Sequence, residues 1–190
     1  MDKISSDEEL AQQLANGREM ALREIVHRYE MPLRNYVRRR CFSCQSEVDD
    51  ILQDVFLRVF THIREFDAGL KFSAWIYRIT HNIMISRIRR HSVRGNTLPL
   101  EPELIPSDIF RTDAPLESRE LRQAISDILG HMPDKLRNVF VLRFLEGKDY
   151  AEIGDILREN VNTVATWIRR GRASFLSEAN AMGLRLYLED

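Results

Sequence analysis

Turn-forming residues are scarce in this chain, which holds 8 glycines and 6 prolines in 190 residues. With 44% apolar and 30% charged residues, that is the composition of a soluble globular protein rich in helix rather than a β-sandwich. No apolar run approaches the ~18 residues needed to span a bilayer. The polar, acidic start from Met1 to Glu9 carries no signal-peptide core. Both absences predict a cytoplasmic chain with no direct membrane insertion. Catalytic signatures are missing too. The 5 histidines form no HExxH-type pair, and there is no phosphate-cradling glycine loop or nucleophile elbow. Neither an enzyme, a cofactor nor a metal is expected. Cysteine is limited to Cys41 and Cys44. A CxxC can ligate zinc or cycle as a dithiol, but no second pair or suitably spaced histidine follows. In a reducing cytosol the pair is expected to remain ordinary thiols.

A net charge of −1 argues, taken whole, against nucleic acid, but the distribution argues for it. From Ala74 to Gly95 there are five arginines (78, 87, 89, 90 and 94) and no acid. From Asn160 to Leu176 Arg169, Arg170 and Arg172 again stand without an acid. The acids gather at Glu47–Asp54 and between Glu101 and Glu120. Two basic segments separated by an acidic one read as two nucleic-acid footprints on a chain with a further, non-DNA partner.

Helical periodicity fills the first ninety residues. Ser6 and Glu9 form a capping-box signature for a short helix ending at Asn16-Gly17,. Leu22, Ile25, Val26, Tyr29, Leu33, Tyr36 and Val37 follow with helical spacing, and Pro32 predicts a break,. Ser46 and Asp49 are expected to cap a third helix, whose apolar stripe runs Val48, Ile51, Leu52, Val55, Phe56, Val59, Phe60, Ile63 and Phe66. After a loop at Asp67-Ala68-Gly69, a fourth carries Phe72, Trp75, Ile76, Ile79 and Ile83. The periodicity then stops, and four of the six prolines fall between Ser92 and Leu116, which reads as a flexible acidic linker. Beyond it Leu121, Ile125, Ile128 and Leu129 resume the pattern, Pro133 suits a helix start and Gly147 a left-handed cap. Asp149 and Glu152 cap a helix from Tyr150 to Leu157, and Asn160 caps the last. A helix, a short turn and a second helix match helix-turn-helix spacing. The expected fold is all-α: two small helical domains, 1–92 and 117–190, joined by a linker at 93–116.

Three helix faces carry the chemistry. On the final helix Val161, Val164 and Ile168 are predicted to face the core, with Asn162, Thr166 and Arg169 outward and Ala165 and Arg170 at the edges,. Amide, hydroxyl and guanidinium groups are the types that read a major groove; the plainer reading is a solvated polar face. On the fourth helix Arg78, Asn82, Ser86 and Arg89 lie opposite the apolar stripe, near aromatics suited to an unpaired strand,. Trp75 reads better as a core anchor. The third helix shows Asp49, Asp50, Gln53, Asp54 and Leu57 outward, a face that repels DNA and suits a basic protein partner.

Asp49-Asp50-Ile51-Leu52-Gln53-Asp54-Val55-Phe56-Leu57-Arg58-Val59-Phe60 resembles the polymerase-binding helix of extracytoplasmic-function (ECF) sigma factors of the sigma-70 family. Phe72-Ser73-Ala74-Trp75-Ile76-Tyr77-Arg78-Ile79, with His81-Asn82 and Arg87-Ile88-Arg89-Arg90, resembles their segment for the −10 promoter element. Met132-Pro133, Arg137 to Arg143, Glu146-Gly147, Tyr150 to Gly154, Thr163-Val164 and Arg169 to Arg172 resemble their −35-reading domain. The resemblance covers nearly the whole chain, in order. It implies that Asp50, Gln53, Asp54 and Leu57 dock on the β′ clamp helices of core RNA polymerase, with the β flap as a second contact. Phe66, Lys71, Arg78, Asn82 and Ser86 would capture a flipped −10 base, and Arg87, Arg89 and Arg90 would hold phosphates. Asn162, Ala165, Thr166, Arg169, Arg170 and Arg172 would meet −35 DNA. The linker would thread toward the RNA exit path. An anti-sigma factor, often membrane-bound, is a family expectation. The chain departs from many relatives at Arg158, where glycine is common at the turn. It departs also at Ala165 and Trp167, where basic residues are common, and at Ser86, where aspartate is. The competing reading is a helix-turn-helix regulator with an N-terminal sensory bundle, which gives the acidic helix and the Arg78–Asn82 face no task. An interaction adaptor would leave both basic helices unexplained.

Overall fold

A computed structural model describes residues 5–41, 46–92, 110–112 and 118–188. The first helix, α1 (Asp7–Ala15), opens on the predicted capping box: Ser6 Oγ accepts from the Glu9 N–H and Glu9 accepts from the Ser6 N–H, both at 3.1 Å. It closes at Asn16, and Gly17 takes a φ of +84° that glycine adopts without steric cost,. Next, α2 (Met20–Arg40) passes through Pro32 unbroken. Pro32 stands on the exposed side, so the hydrogen bond it cannot make is lost where water can replace it. Tyr29, Leu33, Tyr36 and Val37 meanwhile bury the inner face on both sides of it,. The expected break does not occur.

α3 (Val48–His62) continues into a short 3-10 turn (Ile63–Glu65). Its N-cap is Glu47, without a side-chain cap bond, rather than Ser46 with Asp49. The acids there are engaged laterally: Glu47 pairs with Arg87 at 2.9 Å and Asp49 with Arg34 at 2.6 Å. Val48, Ile51, Leu52, Val55, Val59 and Ile63 are buried as expected, whereas Phe60 stays 45% exposed. One residue past Val59 is 100° round the helix, which takes Phe60 off the inner stripe. α4 (Phe72–Ser92) completes the first half.

The second half is α5 (Ser118–His131), α6 (Asp134–Phe140), a single π-helical turn (Val141–Leu145), α7 (Tyr150–Leu157) and α8 (Val161–Ala181). Gly147 is left-handed, with φ +64°. The Asp149–Glu152 capping box forms at 2.8 and 3.2 Å, and the Asn160 side chain caps α8 at 2.9 Å. Val164 and Ile168 are buried, but Val161 is 45% exposed, because the first residue of α8 projects beyond the helices it packs on. The turn between α7 and α8 uses a left-handed residue, Arg158, with φ +56°. The turn therefore keeps the geometry glycine would favour while a side chain bears its steric cost, on the order of 1 kcal/mol.

The all-α class expected from the sequence stands, with one minor pairing of two three-residue strands beside the helices. β1 (Phe110–Thr112), within the stretch read as linker, pairs antiparallel with β2 (Leu186–Leu188) near the end of the chain. So short a pairing between distant segments leaves no periodicity to read. The rest of 93–116 lies outside the described residues. The buried apolar side chains of both halves form one cluster. Cys41 is buried and disulfide-bonded, not the ordinary thiol expected, and Cys44 lies outside the described residues.

The turn between α7 and α8 is closed by the Glu159 N–H donating to the Gly154 carbonyl at 2.9 Å. A Cβ on Gly154 would sit 2.9 Å from the Glu159 carbonyl oxygen. We expect Gly154→Ala to lower stability by about 2 kcal/mol, the scale of an overpacked site. Urea unfolding checks it, and a change below ~0.5 kcal/mol would mean that the turn yields.

Candidate nucleic-acid and partner interfaces

α4 has three faces, and each meets something different. The inner face carries Phe72 and Ile76, both fully buried. Phe66, Phe72 and Trp75 form a cluster with ring centres 5.4–5.7 Å apart,. The Phe72 N–H, at the helix start, donates to Glu8 at 3.1 Å. Trp75 is thus a core anchor, as its phase indicates, and its remaining edge lines the cleft described below.

The second face, Ser73, Tyr77, His81 and Ile85, turns toward the other half of the molecule. Ser73 donates to Glu152 at 2.7 Å and Tyr77 to Glu146 at 2.9 Å. The Lys71 ammonium lies 2.8 Å from Asp149 and 3.4 Å from Glu152, and that of Lys148 stands 4.2 Å from the Tyr77 ring centre,. The end of α2 joins in. Arg39 pairs with Glu146 at 2.8 Å and donates to the Leu145 carbonyl at 3.1 Å. Arg40, 1% exposed, donates to Asn138 and pairs with Asp134 at 2.6 Å.

Burial governs the titration of the innermost groups of this seam, and hydrogen bonding that of its rim. It raises the Glu146 carboxyl above the ordinary carboxylate range, against the opposing pull of Arg39, Tyr77 and Lys148. Burial, helped by Arg40, pushes His81 down to about 4,. A neutral His81 Nδ1 can accept the Tyr36 hydroxyl at 3.0 Å. Asp149 falls to about 2 because the Glu152 backbone N–H and Lys71 both favour its charged form.

The third face stays wet. Arg78, Asn82, Ser86 and Arg90 line one cleft of 520 Å³ with Trp75, Asp54, Arg58, His62, Glu65 and Arg158. Asn82 and Ser86 are exposed, and the Ser86 hydroxyl donates back to the Asn82 carbonyl at 2.9 Å. Arg89 lines the adjoining cleft with Asn82, Ser86, Leu157 and Arg158. Two of the residues grouped with this face by sequence are held by protein carboxylates, although Arg87 also lines the first cleft. Arg87 reaches back to Glu47 and Asp54, at 2.9 and 2.7 Å, and Lys71 is held by the second half. Phe66 is half-buried in its aromatic cluster.

On α3, Asp50, Gln53 and Leu57 are exposed, Leu57 by 61%. Asp54 is half-exposed beside Arg87. On α8, Asn162, Arg169 and Arg170 are exposed, and Ala165, Thr166 and Arg172 are partly covered. The Thr166 hydroxyl donates to the Asn162 carbonyl at 3.0 Å. Trp167 packs at the core edge, with the Lys135 ammonium 5.4 Å from its ring centre. Sequence reasoning missed Arg39, Arg40, Tyr77, Asp134, Asn138 and Glu146. The one available signal was the Arg38-Arg39-Arg40 run, which reads as ordinary favourable charge at a helix C-terminus.

Residues 25–94 match the Sigma-70 region 2 family and residues 122–175 match Sigma-70, region 4. The ECF RNA polymerase sigma factor SigW of Bacillus subtilis is 34% identical over 169 residues, 84% of this chain and 89% of its own. The chain belongs to the ECF sigma factors of the sigma-70 family. The ECF RNA polymerase sigma-E factor of Escherichia coli is 27% identical over 181 residues, covering 90% of this chain and 93% of its own. The structure of CnrH in complex with the cytosolic domain of CnrY matches with a TM-score of 0.69 and 26% identity, over 93% of this chain and 99% of that one. The sigma factor RpoE in complex with the anti-sigma factor NepR from Bartonella quintana shares the fold, with a TM-score of 0.64 and 15% identity over 83% and 97% of the two chains. As a sigma factor the protein directs RNA polymerase to promoters and starts specific transcription.

The His81 shift has a definite sign. A base whose folded pKa is depressed leaves the unfolded state holding more protons between the two values, so stability is lost as pH falls. We expect the protein to lose up to about 3 kcal/mol between pH 6.5 and about 4 from this histidine,. Glu146, raised by burial, works in the opposite direction, so the comparison is with His81→Gln, which keeps a partner for Tyr36. Denaturant titrations across that range should show a shallower pH slope in the variant; identical slopes would mean His81 is not buried neutral.

Proposed function

We propose that promoter opening is carried by the wet face of α4 together with the outer face of α3, within units spanning 1–92 and 117–190 and a connecting stretch at 93–116. The supporting observation is adjacency. The cleft lined by Arg78, Asn82 and Ser86 has Asp54 at its rim, and Asp50, Gln53 and Leu57 continue outward from there on α3. A strand held in the cleft would thus lie beside a face fit for a protein partner. A helix-turn-helix regulator working without polymerase leaves that adjacency unused.

The roles follow from chemistry. Leu57 offers an exposed apolar anchor ringed by Asp50, Gln53 and Asp54, which suits the basic clamp helices of β′; the β flap is the second polymerase contact, made by the C-terminal unit. The cleft falls within the roughly 300–1,000 Å³ typical of small-ligand sites, room for one extruded nucleobase, whose unstacking costs a few kcal/mol. Asn82 and Ser86 supply hydrogen-bonding groups for base edges. Arg78, Arg89 and Arg90 supply positive charge for the backbone. On α8, Asn162, Thr166, Arg169 and Arg170 present donors to a −35 major groove, with Ala165 at the edge and Arg172 near phosphates. Phe66, Lys71 and Arg87 act indirectly, by shaping the cleft and holding its walls. Because polymerase and promoter are cytoplasmic partners, the protein works in the cytoplasm; among the described residues no helix is long and apolar enough to cross a membrane. Control by an anti-sigma factor, membrane-bound or soluble, is part of the same reading, since a sigma factor of the same fold was solved with one.

Two variants test the assignment. Leu57→Asp removes an exposed side chain, so stability should change by less than ~0.5 kcal/mol. Its affinity for core polymerase should nevertheless fall at least about tenfold, as for a hot-spot anchor; undiminished affinity refutes the docking face. Arg169→Ala should weaken binding to a −35 duplex, and a phosphate contact would also lower the salt slope by about one. Unchanged affinity, sequence preference and salt slope would misplace the recognition helix.

A further inference from the structure

α6 and α8 lie side by side in a fixed register. The Phe140 and Phe175 rings stack with centres 4.5 Å apart. One turn earlier on α8, Gly171 lets the helices close, because a Cβ there would stand 3.2 Å from the Leu136 carbonyl oxygen. One turn earlier again, the Lys135 ammonium stands 5.4 Å from the ring centre of Trp167. Contacts at three successive turns of α8 leave α6 little freedom to slide, so α6 starts beside the part of α8 that carries Asn162, Thr166 and Arg170.

Those three residues step round α8 by about 40° each time, and Trp167 lies about 60° beyond Arg170 in the same sense. Along the axis Trp167 is about 7.5 Å from Asn162 and about 4.5 Å short of Arg170. Lys135 therefore stands at the level of the outward residues, just past their edge. It is exposed, and among the described residues it pairs with no carboxylate. Asp134, the acid beside it in sequence, is turned to Arg40, and Arg137 is held by the Gly130 and Met132 carbonyls.

A helix about 10–12 Å across fills a major groove about 12 Å wide. Its flanks then face the two sugar–phosphate walls rather than the base edges. One flank has Arg172, about 80° from Asn162 in the opposite sense, carried by α8 itself. The other has Arg170 and then an indole, which bears no charge; the further cation on that side comes from α6.

We propose that Lys135 is a −35 backbone contact outside the recognition helix, and that Trp167 is the positioning residue that holds it at the groove wall. The face of the indole draws the ammonium electrostatically. A lysine already ordered gives up less rotamer freedom when it meets a phosphate. A point charge on a phosphate reads no base, so the contact adds affinity without sequence preference. It presupposes α8 as the −35 reader proposed above.

The test uses the protein assembled with core polymerase, on a promoter duplex selected by that holoenzyme from a randomised pool. One phosphate contact carries a slope of about 0.9 in log affinity against log salt. Lys135→Gln should lower the slope by that much and, relative to 1 M, cost about eightfold in affinity at 0.1 M salt, with base preference unchanged. Lys135→Arg should keep both. An unchanged slope in Lys135→Gln overturns the contact. Arg185→Gln, at an exposed site past the far end of α8, controls for net charge and should change nothing; a fall equal to that of Lys135→Gln also overturns it.

Trp167→Leu fills the space without a ring and should cost about two- to fivefold, whereas Trp167→Phe should stay within about twofold of wild type. Should Trp167→Leu lose its helical circular dichroism, Trp167→Met takes its place. In the Lys135→Gln background the same substitution should cost nothing further; a second loss of equal size overturns the positioning role. Arg169→Ala separates the flank contact from the recognition helix itself. If it weakens binding while Lys135→Gln does not, α8 still reads −35 DNA and only the flank contact fails. If neither changes affinity, slope or base preference, the recognition helix is misplaced and the flank contact falls with it.

Discussion

Two arginines at the end of α2 lie almost wholly out of water, and a buried guanidinium is tolerable only while its partners stay in place. Arg40 has a carboxylate and an amide from α6; Arg39 has a carboxylate and a carbonyl from the segment that follows. Removing either set of partners leaves an uncompensated charge in a poorly polarisable surrounding, worth several kcal/mol. The first half is therefore not self-sufficient in the form seen here. Either the second half covers these cations or solvent does, and intermediate placements are penalised.

The same demand explains the character of α4. A helix with one buried stripe declares itself by periodicity, but α4 buries one face in its own bundle and a second against α7. Only the strip through Arg78, Asn82 and Ser86 is left to solvent. Functional groups are confined to that strip because nothing else on the helix remains wet. The arginines divide accordingly: Arg78, Arg87 and Arg90 all line the cleft, but Arg87 is committed to Glu47 and Asp54 as a strut between α3 and α4. A basic run is thus not a uniform phosphate comb.

Much of this was legible in the residues. The capping boxes at Ser6 and Asp149, the Asn160 cap, and the limits of α7 followed from local chemistry that needs no tertiary information. So did the anchoring role of Trp75, because its phase matched Ile79. What escaped notice depends on the other half of the molecule. Tyr77 and Glu146 look like unremarkable surface residues until a partner 69 positions away is placed beside them. Pro32 misled because its penalty depends on which side of the helix it faces, and Phe60 and Val161 because a stripe's edge is set by what packs against it. The strand pair could not have been read at all, since three residues at each site carry no period.

The π-helical turn at Val141–Leu145 carries a consequence of a different kind. It fits one more residue into a helical turn than an α-helix would, and the Glu146 N–H still closes on the Val141 carbonyl at 3.0 Å,. Upstream, Val139 and Phe140 face the core; downstream, the Glu146 carboxylate meets Arg39 and Tyr77. Those two directions agree only because of the surplus residue. Losing any one of the five would wind the turn back to α geometry and swing Glu146 by about 100°, away from its arginine, with the residue itself untouched. The joining of the halves is therefore encoded as an angle along the chain, and a single-codon deletion can cancel it where no substitution at the seam has occurred.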